Sequence, residues 1–198
     1  MIKTGSNIHL SNKSEKLNAR LLSKLNNLNT IYIQSFTTKI GDMFVCATDD
    51  GVCLLEFTDK KRIEAEFKDL EKRFKAEIIQ GTNKHIDIAI NEVKDYMDGA
   101  LNKFTVTLDM AGTDFQKNVW MSLNQIPFGE TRSYKEQAIK IGKPKAVRAV
   151  ANANGMNKIA LIIPCHRVIG SNGALTGYAG GLQRKKWLLD LERNYLVE

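Results

Sequence analysis

The sequence predicts an α+β fold in two halves, a small sheet-bearing half followed by a mainly helical one. Three observations carry this. From Ile31 to Phe57, short apolar runs are broken by Gly41-Asp42 and by Asp49-Asp50-Gly51, the residue types that hairpin turns require. From Asp59 onward, apolar residues recur at the three- and four-residue spacing of amphipathic helices. Between Ser133 and Gly155, a short helix, a turn containing Gly142 and a second helix of about ten residues have helix-turn-helix spacing. An ordinary helical hairpin has that spacing too.

Taken in order, residues 1–30 are a polar, Asn-rich extension with one short helix over Lys16 to Leu28 (Leu17, Leu21, Leu25, Leu28). Residues 31–111 form a small supporting domain. Its strands are Ile31-Tyr32-Ile33, Met43 to Thr48 and Val52 to Phe57. A helical stretch from Asp59 to Ile79 is marked by Ile63, Phe67, Leu70 and Phe74. A second helix covers Lys84 to Met97 and stops near Gly99, and Phe104 to Leu108 alternates as a strand. No catalytic cluster is visible in this half.

Residues 112–198 form the second domain. Thr113 is placed to cap a helix running to Gln125, broken by Pro127 and Gly129. Ser133 and Glu136 make a capping box for a helix through Lys140. A third helix runs from Lys145 to Asn154 and is closed by Gly155. Its residues, Ala146 to Asn154, are almost all small around one Arg, Arg148. Such a face can lie close against a partner and projects a single cation; it suits a nucleic-acid groove read without a base code. The stretch Leu175 to Leu182 is a glycine-rich loop with one aromatic, Tyr178, able to bring backbone against a planar ligand or simply to cross the surface. A helix from Leu182 to Tyr195 carries Glu192.

Composition narrows the classes. At 198 residues, 43% apolar and 26% charged, the chain has the make-up of an ordinary globular protein. No apolar run approaches the ~20 residues of a membrane span, so no membrane association is expected. The first twelve residues lack the apolar core of a secretory signal. Three Cys without close pairing fit a reducing cytoplasm, where this chain is expected. Cys46 and Cys53 are read as small apolar strand residues. Residues 1–112 carry 16 Lys+Arg and 16 Asp+Glu; residues 113–198 carry 13 and 6, the whole net charge of +7. That half either draws a polyanion at long range or presents a solvated basic face.

The basic half also holds Ile162-Ile163-Pro164-Cys165-His166-Arg167-Val168, an apolar strand running to a Pro, with a Cys and a His directly after it. Pro164 ends the run where Cys165 must be presented. A thiolate, not a thiol, is the nucleophile, so a reactive Cys needs a neighbouring base or cation.

Together the Pro-Cys-His-Arg core, the Arg148 helix 17 residues upstream and the Gly-Tyr loop downstream resemble the O6-alkylguanine-DNA alkyltransferases, or methylated-DNA–protein-cysteine methyltransferases. The resemblance runs from about Tyr32 to Glu192, is strongest from Thr113 on, and leaves residues 1–30 uncovered. It implies a ribonuclease-H-like N-terminal domain and a C-terminal domain with a winged-helix-like helix-turn-helix that docks in the minor groove. It implies DNA repair by direct reversal. The alkyl group of O6-methylguanine, and of O4-methylthymine, would pass to Cys165 once, without cofactor, from a base turned out of the duplex.

Residue by residue, the resemblance makes Cys165 the acceptor and His166 its base through a water, with Glu192 holding the imidazole. Tyr134 would protonate the leaving guanine and crowd the target phosphate. Arg148 would fill the space of the flipped nucleotide, with Ala146, Ala149 and Ala153 on the same DNA-facing helix. Asn157 would tie the turn before the active-site strand. Pro164, Val168, Tyr178, Ala179 and Gly180 would complete the pocket. The resemblance further implies double-stranded DNA as the partner and a monomer in solution. Two positions depart from the pattern: Lys158 stands where the family often has Pro, and Ala179 where some members have a hydroxyl, which bears on the alkyl groups accepted. No metal site is expected, because His9, His85, Cys46 and Cys53 lack ligand spacing.

Two other readings fit parts of the chain. A non-catalytic sensor of alkylated bases would lack the acceptor Cys, which is present. A small-molecule Cys-His-Glu hydrolase or transferase would leave the basic half and the Arg148 helix unexplained.

Overall fold

The structure, a computed structural model, describes residues 29–195; the helix expected over Lys16 to Leu28 lies outside them. The fold is α+β, as the sequence predicts. Strands β1 (Asn29–Thr38), β2 (Gly41–Ala47) and β3 (Val52–Phe57) form an antiparallel meander, and β4 (Ala76–Gln80) adds parallel to β1, giving the order β3-β2-β1-β4. Helix α1 (Ile63–Phe74) makes the β3-to-β4 crossover, and α2 (Lys84–Met97) covers the sheet with Ile86, Ala89, Ile90, Val93 and Tyr96 facing inward.

The helical stretch expected from Asp59 to Ile79 is therefore two elements. Lys75 adopts the left-handed conformation (φ 48°) and its N–H closes on the Glu71 carbonyl, which ends α1 and releases Ala76–Gln80 to pair with β1. The strand expected over Phe104 to Leu108 is absent. Its backbone meets the sheet at Val52 alone, through Val52 N–H to Thr107 O (2.9 Å) and Asp109 N–H to Val52 O (2.9 Å). The Glu92 carboxylate takes the Thr105 and Val106 N–H groups, donors that a ladder would need.

In the second half, α3 (Asp114–Leu123) and α4 (Tyr134–Lys140) begin with capping boxes, Thr113 with Gln116 and Ser133 with Glu136. Helix α5 (Val147–Gly155) crosses against both, and α6 (Leu182–Asn194) closes the fold. Buried amides lock the helix-turn-helix: Asn154 Nδ2 donates to Gln137 Oε1 (2.7 Å) and Gln137 Nε2 to Asn154 Oδ1 (3.2 Å). Trp120 Nε1 donates to the Ala153 carbonyl (2.8 Å). A two-stranded parallel pair, β5 (Arg132–Ser133) with β6 (Val168–Ile169), links α4 to the segment after Cys165.

One apolar core runs through both halves, joining Val45, Leu55 and Tyr96 to Trp120, Ile159 and Ile163. Every residue of β3 is buried because that strand is covered on its outer edge too: Leu55 N–H donates to Lys158 O (2.8 Å) and Ala160 N–H to Leu55 O (2.7 Å). The sheet thus holds the chain directly ahead of Cys165.

Candidate functional site

The Ile162-Ile163-Pro164 run is buried but is not a strand. After the single bridge at Ile159 the chain turns, with Leu161 at φ 67°, and enters a 3₁₀ turn, Cys165–Arg167. The β-branched run fills core and has no edge to pair with, because β3 is already occupied by Lys158 and Ala160. Asn157 organises this turn. Its Oδ1 accepts the Ile159 N–H (3.0 Å), and its Nδ2 donates to Ile163 O (2.9 Å) and to Cys165 Sγ (3.3 Å).

Cys165 is buried, and burial pushes its thiol up to about 11 against the Asn157 hydrogen bond, which lowers it. His166 is fully buried. Its Nε2 lies 2.7 Å from Glu192 Oε1, while Nδ1 has no partner among the described residues. Burial lowers the imidazole below its ordinary 6.5 despite the carboxylate, so it is neutral at pH 7. A neutral ring that donates from Nε2 keeps its lone pair on Nδ1.

Burial alone would raise the Glu192 carboxyl, but hydrogen bonds and charge from His166 and Arg167 outweigh it and hold it at about 2. Arg167 Nε reaches Glu192 Oε2 at 2.9 Å, its second arm reaches Oε1 at 2.9 Å, and its remaining nitrogen donates to Ile126 O (2.7 Å). The Gly129 N–H donates to Glu192 Oε2 (2.9 Å). Tyr96, from the first half, donates to Glu192 Oε1 (2.7 Å) and lies 3.4 Å from His166 Nε2. The first half therefore does reach the cluster. Sequence offers no sign of Tyr96, which reads as one more apolar position of α2; Arg167 stands in the motif without a visible role.

Tyr134, half-buried at the start of α4, donates to the carbonyls of Thr176 (3.3 Å) and Gly177 (3.2 Å), pinning the near end of the glycine-rich loop. Fully buried Lys185 donates to the Val168 and Thr176 carbonyls and has no carboxylate partner among the described residues; burial lowers its ammonium to about 8. Tyr178 stands edge-on to the His166 ring at 6.4 Å, with its hydroxyl unpartnered. Tyr178, Ala179 and Gly180 line a cleft of about 820 Å³, walled by Ala151, Met156 and Lys158 on one side and by the start of α1 on the other. Asn157, Pro164 and Val168 are buried and do not line that cleft.

Arg148 and Ala149 are exposed on the outer face of α5, with Ala146 part-exposed at its start. Ala153 is not exposed on that face. It is 4% exposed and packs in the core with Val150: one turn on from Ala149, it lies at the edge of that face nearer Val150 and Asn154, which are buried too. Ala153 is therefore not available to contact a groove as expected, and exposed Asn152 stands on the outer face. Among the described residues no cluster of three or more His, Cys, Asp or Glu could hold a metal ion, and no helix is long and apolar enough to cross a membrane.

Fold and site together define a mixed α+β protein with a sheltered thiol, an imidazole–carboxylate pair and a helix-turn-helix. Residues 114–194 match the family described as 6-O-methylguanine DNA methyltransferase, DNA binding domain. A methylated-DNA–protein-cysteine methyltransferase of Methanosarcina barkeri is 46% identical over 167 residues, 84% of this chain and 99% of that one. The crystal structure of Mycobacterium tuberculosis O6-methylguanine methyltransferase superposes with a TM-score of 0.72 at 39% identity, covering 83% of this chain and 94% of that one. A structure of the same organism's protein in complex with DNA superposes at 0.70, again at 39% identity, over 84% and 94%. The chain belongs to the methylated-DNA–protein-cysteine methyltransferase family.

Proposed function

We propose that this chain repairs DNA by taking the alkyl group from O6-methylguanine onto Cys165, once per molecule. The observation that carries the reading is the buried series Cys165, His166, Glu192, with the imidazole neutral and its Nδ1 without a partner among the described residues. His166 Nδ1 accepts the Cys165 proton through a water, and the imidazolium formed is stabilised by ionised Glu192. The thiolate accepts the Asn157 hydrogen bond and attacks the alkyl carbon in line. A C–S bond forms, the C–O6 bond breaks, and guanine leaves with a proton from the Tyr134 hydroxyl, which the His166 imidazolium restores, so that the thiol proton ends on guanine. The product is a thioether, and no group at the site can reverse it.

O6 is inaccessible to a buried sulfur while the base is stacked, so the nucleotide must be turned out of the duplex, at a few kcal/mol of unstacking. The small outer face of α5 supports minor-groove docking, with Arg148 filling the vacated stack and the basic half drawing the phosphates. Backbone of the Tyr178–Gly180 loop would read the base edge. O4-methylthymine, with its alkyl group on an equivalent oxygen, is a second substrate. The domain division at residue 111 is then one of labour, since the core itself is shared. The protein acts as a monomer in the cytoplasm, with no cofactor.

Intact-mass measurement tests this. With a duplex carrying O6-methylguanine, the protein gains one methyl group on the peptide containing Cys165 and none thereafter. An unmodified Cys165 in folded protein sinks the reading.

A further inference from the structure

The glycine-rich loop is held at both ends, one by second-half side chains alone and the other by a side chain anchored on the first half. Tyr134 and Lys185 hold Thr176 and Gly177 from the second half. The far end is held by Arg184. Its Nη1 donates to Gly180 O (3.2 Å), its Nε to Ile40 O (2.7 Å), and its two terminal nitrogens grip Asp59 at 2.8 and 2.9 Å. The guanidinium lies 4.0 Å over the Phe57 ring, and Gly180 packs so tightly on that ring that a Cβ there would come within 2.8 Å of it. Gly41 leaves the slot for Arg184: a Cβ at Gly41 would stand 2.7 Å from Nη2. Ile40, Gly41, Phe57 and Asp59 all belong to the first half, and Gly180 is one of the residues assigned to base recognition.

We propose that Arg184 is a positioning residue through which the sheet half sets the base-recognition loop. The proposal rests on the alkyl-transfer reading above. A bidentate carboxylate contact, two carbonyls and a ring face fix a guanidinium in one orientation, and an ammonium cannot satisfy all of them. With Tyr134 and Lys185 holding only residues 176 and 177, loss of Arg184 removes the side-chain hold on the Gly180 carbonyl and loosens the Tyr178–Gly180 backbone without touching Cys165, His166, Glu192 or the outer face of α5.

The test uses the full chain and three measurements: methyl transfer from a saturating O6-methylguanine duplex, affinity for the same duplex undamaged, and backbone hydrogen exchange. Arg184→Ala is expected to slow transfer on the order of tenfold, the size of one charge-assisted contact. It leaves undamaged-duplex affinity unchanged and speeds exchange at residues 177–181 alone. Arg184→Lys behaves like Arg184→Ala. Asp59→Asn moves transfer and exchange the same way by less, because that carboxylate is 64% exposed. Transfer at the unsubstituted rate in Arg184→Ala overturns the proposal. So does a variant whose exchange rises throughout the sheet and α6 while duplex affinity falls, since Arg184 would then be only structural. If Arg184→Ala does not fold, Asp59→Asn decides on the same criteria. Failure of the unsubstituted protein to methylate Cys165 instead rejects the alkyl-transfer reading, and loop exchange still decides the role of Arg184.

Discussion

Asn157 Nδ2 donates to the Cys165 sulfur across 3.3 Å, eight residues along the chain, and the same nitrogen holds the Ile163 carbonyl at 2.9 Å. One amide thus fixes the turn that presents the thiol and supplies the sulfur's nearest donor. A hydrogen bond to a charged acceptor contributes about 1.5–3 kcal/mol. Asn157→Ala should therefore slow Cys165 alkylation by roughly 10- to 100-fold. It should also lower stability, because the Ile159 N–H loses its acceptor. Single-turnover rates measured well below the melting temperature separate the two effects.

The proton pair sets the pH profile. Burial pushes Cys165 up to about 11 and His166 below 6.5. Between those limits the proposed internal proton exchange from thiol to neutral imidazole should leave the alkylation rate flat. Below the His166 value the ring is already protonated and the rate falls in proportion to acid. A rate that climbs steadily through pH 7 to 9, as for an ordinary exposed thiol, would contradict this.

Glu192 links acid to stability. Its folded value, about 2, lies below the ordinary 4.5, so the stabilisation is full above pH 4.5 and is lost as pH falls toward 2. The amount is on the order of 3 kcal/mol. Glu192→Gln should remove that acid dependence. It should cost about 3–5 kcal/mol at pH 7, because Arg167 is left buried without its carboxylate. Denaturant titrations at pH 3 and pH 7 check both statements.

The two faces of α5 should separate cleanly. Arg148→Ala is expected to cut transfer from duplex far more than transfer from free O6-benzylguanine, with melting unchanged. Ala153→Leu should behave oppositely, destabilising by about 1–3 kcal/mol by overpacking against the core around Trp120. Equal loss on both substrates for Arg148→Ala rules out its role in the duplex.

The site was legible where chemistry needs a residue type at a short spacing: Cys165 beside His166, the capping box of Ser133 and Glu136, the small-residue helix around Arg148. It was not legible where partners come from afar. Tyr96 lies 70 residues from His166 in the chain, and Arg184 lies 144 from Ile40. Local alternation misled at Phe104 to Leu108, where the Glu92 carboxylate takes backbone donors that a strand would use. Helical spacing likewise ran through Lys75, where one left-handed residue starts β4.

The sequence alone determined which groups could react and where helices and turns begin, because caps, glycines and side-chain chemistry act over a few residues. Only the tertiary structure decided that His166 is neutral, that Glu192 is ionised and that Ala153 faces inward. It also decided that Arg184 joins Gly180 of the glycine-rich loop to Ile40 and Asp59 of the sheet half. Burial and charge at a point depend on everything packed around it, and those neighbours are set by the fold.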